Sequence, residues 1–67
     1  MAITMKAARV NAGLTQKEAA IALEISKGTL ASYENYKTSP SIITSEKIAC
    51  LYGLTVNDII FCKPIVL

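Results

Sequence analysis

Few side chains in this sequence could carry catalytic chemistry. There is no histidine, and the five acids, Glu18, Glu24, Glu34, Glu46 and Asp58, are scattered over positions suited to capping a helix or pairing with a base. General acid–base work needs titratable groups held close together in different environments, and nothing in the spacing gathers them. The two cysteines, Cys50 and Cys62, have no base beside them and lie in apolar contexts. A thiol there packs as a small hydrophobe, so both read as free structural thiols in a reducing compartment. No metal-ligand spacing and no glycine-rich phosphate loop is found. The expectation is a protein that is not an enzyme and uses no metal or cofactor.

What remains is one helical run whose outward side is Lys27, Gly28, Ala31, Ser32 and Asn35. That side presents small and polar side chains where a simple solvated face is usually filled with long Lys and Glu. Lysines suit phosphates, and short hydroxyls and amides can meet base edges only if the backbone approaches closely.

Those residues need elements to position them. The stretch Thr15 to Asn35 reads as two short helices around a tight bend, one opening at Thr15 and the next at Ser26. Thr15-Gln16-Lys17-Glu18 fits the capping box, in which the Thr hydroxyl accepts an N–H and the Glu carboxylate reaches back. Ser26 is a favourable cap in its own right. Ala19, Ala20 and Leu23 form the inner stripe of the first helix, and the small Ala20 permits a close crossing. In the second, Leu30, Tyr33 and Glu34 turn inward. An earlier helix is predicted over Met5–Asn11, capped by Thr4 and stopped at Gly13. A later one runs from Ser41 or Ile42 to Tyr52, with Pro40 before it and Gly53 after it. A short fifth helix is predicted after Thr55, with Val56, Ile59 and Ile60 turned inward. The fold class is therefore all-α, a compact bundle of five short helices.

The totals agree with a small domain. In 67 residues, 52% are hydrophobic and 18% charged, which is too apolar for disorder. Net charge is +2, a mild basic bias that permits a nucleic-acid partner without requiring one. No apolar run approaches the roughly 18 residues of a membrane span, and the first residues lack the long apolar centre of a signal peptide. A soluble, cytoplasmic protein with no membrane partner is expected.

The motifs together resemble one family. Gln16-Lys17-Glu18-Ala19-Ala20, Ile25-Ser26, Leu30, Tyr33-Glu34-Asn35, Pro40-Ser41 and Leu54-Thr55-Val56 resemble the Cro/repressor (XRE-type) helix-turn-helix family of phage and bacterial regulators, over about residues 3 to 61. The resemblance implies a lambda-repressor-like domain over 1–61 that binds a double-stranded DNA operator, with a recognition helix near 27–35. It implies that Gln16 contacts a phosphate and buttresses that helix, and that Lys27, Gly28, Thr29 and Ser32 meet base edges and backbone. Asn35, Lys37 and Thr38 would fall in a phosphate-contacting loop, while Arg9 and Glu34 would form a structural salt bridge. The chain differs from the family at Glu24 and Tyr36, where glycine is common, at Gly28, where many members carry a long polar reader, and at Ser45, where an apolar residue is usual.

Two functions fit this reading. One is a sequence-specific transcriptional regulator, a phage or prophage repressor or Cro-like protein. The other is a protein-binding module on the same fold, such as an antirepressor or the partner of another repressor. The apolar tail at 62–67, with Ile65-Val66-Leu67 as a short strand or strap, suggests a homodimer contact. Glu46, Lys47 and Cys50 read as a solvated face.

Overall fold

The computed structural model describes residues 2–61. In chain order they form β1 (Ile3–Thr4), α1 (Met5–Asn11), α2 (Gln16–Leu23), α3 (Lys27–Glu34), α4 (Ile42–Leu51), a 3-10 turn (Val56–Asp58) and β2 (Ile59–Ile60). Each of the four helices starts on a hydroxyl. Thr4 accepts from the Ala7 N–H at 3.1 Å, Thr15 from Glu18 at 3.1 Å, Ser26 from Thr29 at 3.1 Å and Ser41 from Thr44 at 3.2 Å. Each cap satisfies an amide that the helix itself cannot and contributes about 1 kcal/mol. The Thr15 box is closed by the Thr15 N–H donating to Glu18 Oε1 at 3.0 Å. That backbone hydrogen bond, with a second from the Thr15 side chain, holds the Glu18 carboxyl below its ordinary range. Thr55 does the same to Asp58. Both groups therefore favour the fold above the ordinary carboxylate pKa, and their contribution disappears as pH falls through the lowered value.

All four helices also end alike. Each helix closes on a left-handed residue: Gly13 at φ 78°, Glu24 at φ 59°, Tyr36 at φ 59° and Gly53 at φ 74°. Each end carries the paired backbone bonds of a Schellman motif. At the first, Leu14 N–H donates to Arg9 O at 3.2 Å and Gly13 N–H to Val10 O at 2.9 Å. The same pattern recurs with Ile25 on Ala20, Lys37 on Ser32 and Leu54 on Ala49. Three of these joints share a sequence form: a left-handed residue, an apolar anchor, then a hydroxyl cap. They are Gly13-Leu14-Thr15, Glu24-Ile25-Ser26 and Gly53-Leu54-Thr55, and the anchors Leu14, Ile25 and Leu54 pack on the core. The fourth, Tyr36-Lys37-Thr38, puts an exposed lysine at the anchor position.

The core consists of Met5, Ala8, Ala19, Ala20, Leu30, Ile48, Ala49, Tyr52 and Ile59. Four of these are alanines, so the helices approach closely around the few large side chains, with Leu30 and Ile48 fully covered. Ser45 is buried among them at 6% exposure.

The expected fifth helix is reduced to the 3-10 turn, and among the described residues the bundle has four α-helices rather than five. After the 3-10 turn, Ile59 is extended at φ −123°, ψ 137°. Ile59 and Ile60 pair in parallel with Ile3 and Thr4. Two adjacent β-branched residues favour the strand once a partner lies beside them. Val56, expected inside, is 38% exposed. The tail at 62–67, with its expected strand and dimer contact, lies outside the described residues.

Glu24 occupies a left-handed conformation that costs a non-glycine residue roughly 1 kcal/mol or more. Glu24→Gly is expected to raise stability by about that amount, a gain of roughly 4–8 °C in melting temperature for a domain of this size. Thermal unfolding followed by circular dichroism checks it, and Gly13→Ala should move the midpoint the other way.

Candidate nucleic-acid interface

The stretch that could meet a ligand is α3 with the joints on either side. Leu30, fully buried, fixes which side of α3 is inside. At 100° per residue, Gly28, Ser32 and Asn35 then fall on the opposite side, at i, i+4 and i+7. Gly28 and Asn35 are exposed and Ser32 is half-buried. The stripe holds no long side chain, so the α3 backbone itself lies near the surface. A Cβ added at Gly28 would meet nothing closer than Ser26 Oγ at 4.0 Å. Packing within the domain therefore does not require glycine there.

Charge and hydroxyls border this stripe. Lys27, the first residue of α3, and Lys37 in the loop after it are both exposed, as is Thr38. Thr29 is half-buried, and its Oγ1 lies 2.8 Å from Ser26 Oγ. That contact fixes the rotamer of Thr29, a feature that sequence spacing did not reveal. The candidate residues on α3 and in the loop after it follow one another along a single stretch, exposed except for the half-buried Thr29 and Ser32. Gln16 stands apart from it on α2, half-buried, with its side-chain amide committed inward.

That inward bond belongs to a buried polar cluster that sets the pose of α3. Glu34 Oε2 accepts from Arg9 Nε at 2.7 Å, with side-chain exposures of 9% for Arg9 and 3% for Glu34. Glu34 Oε1 accepts from Gln16 Nε2 at 3.0 Å and from Arg9 Nη2 at 3.5 Å. Arg9 Nη1 donates to Leu14 O at 2.8 Å. One carboxylate thereby joins α1, α2 and α3, and the same guanidinium pins the first joint. Gln16 retains its second amide N–H for another acceptor. Beside the cluster, the Tyr52 hydroxyl is buried with no hydrogen-bond partner among the described residues. Burial first, and the Glu34 charge second, push its pKa up to about 12.

Two short helices joined by a left-handed turn, the second with an open and small-featured face, form a helix-turn-helix. A helix-turn-helix family model matches residues 5–59. The chain belongs to the Cro/repressor-type helix-turn-helix family. It is a DNA-binding regulator of the XRE type. The match runs from the first residue of α1 to the first of β2, so it takes in every helix and the Arg9–Glu34 pair. No curated protein and no solved structure gives a significant match. Among the described residues, no helix is long and apolar enough to cross a membrane, and no cluster of acids and cysteines is suited to a metal ion.

Removing one partner of a buried ion pair leaves the other charge uncompensated and costs about 3–5 kcal/mol. Glu34→Ala is therefore expected to remove most of the stability of so small a domain, while replacing Glu34 and Arg9 together with Leu and Met restores much of it. Urea unfolding of the single and paired variants checks this. Tyr52 gives an alkaline signature. Its folded-state pKa is raised from 10.0 to about 12, so its contribution is complete below pH 10 and lost as pH rises through about 12. Tyr52→Phe should flatten the loss of stability over that window, read from melting temperatures at successive alkaline pH values.

Proposed function

We propose that this domain is a sequence-specific transcriptional regulator, a repressor or Cro-like protein of phage or prophage origin, acting in the cytoplasm as a homodimer. On this reading α3 enters the major groove of double-stranded DNA. The groove is about 12 Å wide and accepts one helix. Two copies would read half-sites roughly 34 Å apart.

The observation that carries the reading is the open face of α3. Gly28, Ser32 and Asn35 present only small groups, and the domain's own packing gives no reason for the glycine. A glycine in a helix costs about 1 kcal/mol relative to alanine. It is accounted for if another backbone comes close. Lys37 adds support, because the equivalent position of the other three joints holds an apolar core anchor. An exposed lysine there suits a phosphate. Lys27, Thr29 and Ser32 are assigned to base edges and nearby backbone. Gln16, Asn35, Lys37 and Thr38 are assigned to phosphates.

With readers this short, few direct base contacts are available. Much of the discrimination would come from the sequence-dependent shape of the DNA. The alternative, a protein-binding module built on the same fold, would use the same face without needing its lysines.

Operator selection from random duplexes, followed by affinity measurements over a range of salt, tests the assignment. Lys27→Ala with Ser32→Ala should weaken operator binding by about tenfold or more, since one good base contact is worth about 1–3 kcal/mol. Lys37→Ala should weaken all duplexes alike and reduce the salt slope by about 0.9. Gly28→Ala should raise the melting temperature yet lower affinity. A flat salt response, or no duplex binding at all, would favour the protein partner.

A further inference from the structure

A groove of about 370 Å³ opens between the C-terminal parts of α2 and α4. Ala22 and Leu23 line it from α2, Cys50 and Leu51 from α4, with Glu24 on the first side and Lys47 on the second. In sequence, Lys47 and Cys50 belong to an ordinary solvated face. In the structure Cys50 is an exposed free thiol on the wall of this groove.

Two further features set this face apart. Ile43, Lys47 and Cys50 follow one another at i, i+4 and i+7, which places them on one side of α4. Ile43 is 68% exposed, and so is Ile21, next to Ala22 on α2. These exposed aliphatic groups lie on the two helices that form the groove and would add apolar area to a contact made there. Within the described residues, moreover, neither Glu24 nor Lys47 has an ion-pair partner.

We propose that this groove is where two copies of the chain meet. The charges choose the partner. One wall is acidic and the other basic, so a uniformly charged partner would be repelled by one side. A second copy presents the same pair of walls. A two-fold axis running along the groove sets each Glu24 opposite the Lys47 of the other copy, so the ion pair forms twice. That is the self-complementarity an isologous interface requires. The apolar groups between them lose their water on contact, and the two Cys50 thiols come to lie near the axis. This adds a contact surface to the dimer proposed above, and it can be tested without DNA.

The experiment is sedimentation equilibrium of the full chain, free of DNA, with far-UV circular dichroism to show that each variant is folded. The unaltered chain is expected to show a monomer–dimer equilibrium. Glu24→Lys and Lys47→Glu should each weaken dimerisation by about tenfold or more, because each reversal places like charges together at two sites. The double variant with both charges exchanged should recover close to the original affinity. In a Cys62→Ser background, a short bismaleimide should join two copies through Cys50, and Glu24→Lys should suppress that product. A chain that stays monomeric, a dimer indifferent to both reversals, or a charge exchange that fails to restore dimerisation would each overturn the proposal. So would a dimer abolished by deleting residues 64–67 but untouched by the charge changes. If dimerisation ignores the groove while duplex binding remains salt-dependent, the surface is wrong and the regulatory reading stands.

Discussion

The carboxylate of Glu34 is the constraint on which the rest of the domain depends. A charge at 3% side-chain exposure has to be matched, and Arg9 and Gln16 match it from two other helices. Those partners in turn fix how α1 and α2 sit against α3. A core of this size contains four alanines and cannot set the angles between helices by shape alone. Directional bonds to one buried oxygen pair do what large interlocking side chains do in bigger domains. The ionic cluster is better understood as specifying the arrangement than as adding net stability, since buried pairs often gain little over a well-packed apolar substitute.

This division of labour separates the scaffold from the face proposed to read DNA. The inward side of α3 carries Leu30 and Glu34, and through them the register of the helix is held. The outward side carries nothing that the fold needs. It is therefore free to vary, and what it displays here is a backbone only lightly covered, between two lysines. If this face reads DNA as proposed, affinity would rest on phosphates and on fit, whereas the identity of individual bases would have few side chains to consult.

Much of this was legible in the residues. Thr4, Thr15, Ser26 and Ser41 mark helix starts by a local mechanism, a hydroxyl meeting an amide three residues on, so their positions could be read directly. Gly13 and Gly53 mark ends in the same way. Glu24 and Tyr36 were harder, because a glutamate and a tyrosine do not advertise a left-handed backbone. Only the family's usual glycine at those places pointed to them. The segment after Thr55 was misread because its fate depends on Ile3 and Thr4, at the far end of the domain. A capping pattern and two apolar residues suggest a helix locally, and only the neighbouring strand reverses that choice. That Gln16 buttresses α3 followed from the resemblance, but no spacing rule would reveal that it does so by donating to Glu34. The groove wall at Lys47 and Cys50 escaped notice because its other half comes from α2.

The repeated joints have a consequence for how the chain tolerates changes in length. At Gly13-Leu14-Thr15, Glu24-Ile25-Ser26 and Gly53-Leu54-Thr55, one residue closes a helix, the next plugs the core and the third opens the following turn. An extra residue at any of them would dislodge the plug or separate it from the cap. The Tyr36-Lys37-Thr38 joint has no such plug, and its next helix is not capped until Ser41. Drift in length within the helical domain should therefore be concentrated between Lys37 and Ser41. The scaffold can hold its spacing fixed everywhere else while the segment beside the reading face lengthens or shortens, and with it the reach of that face.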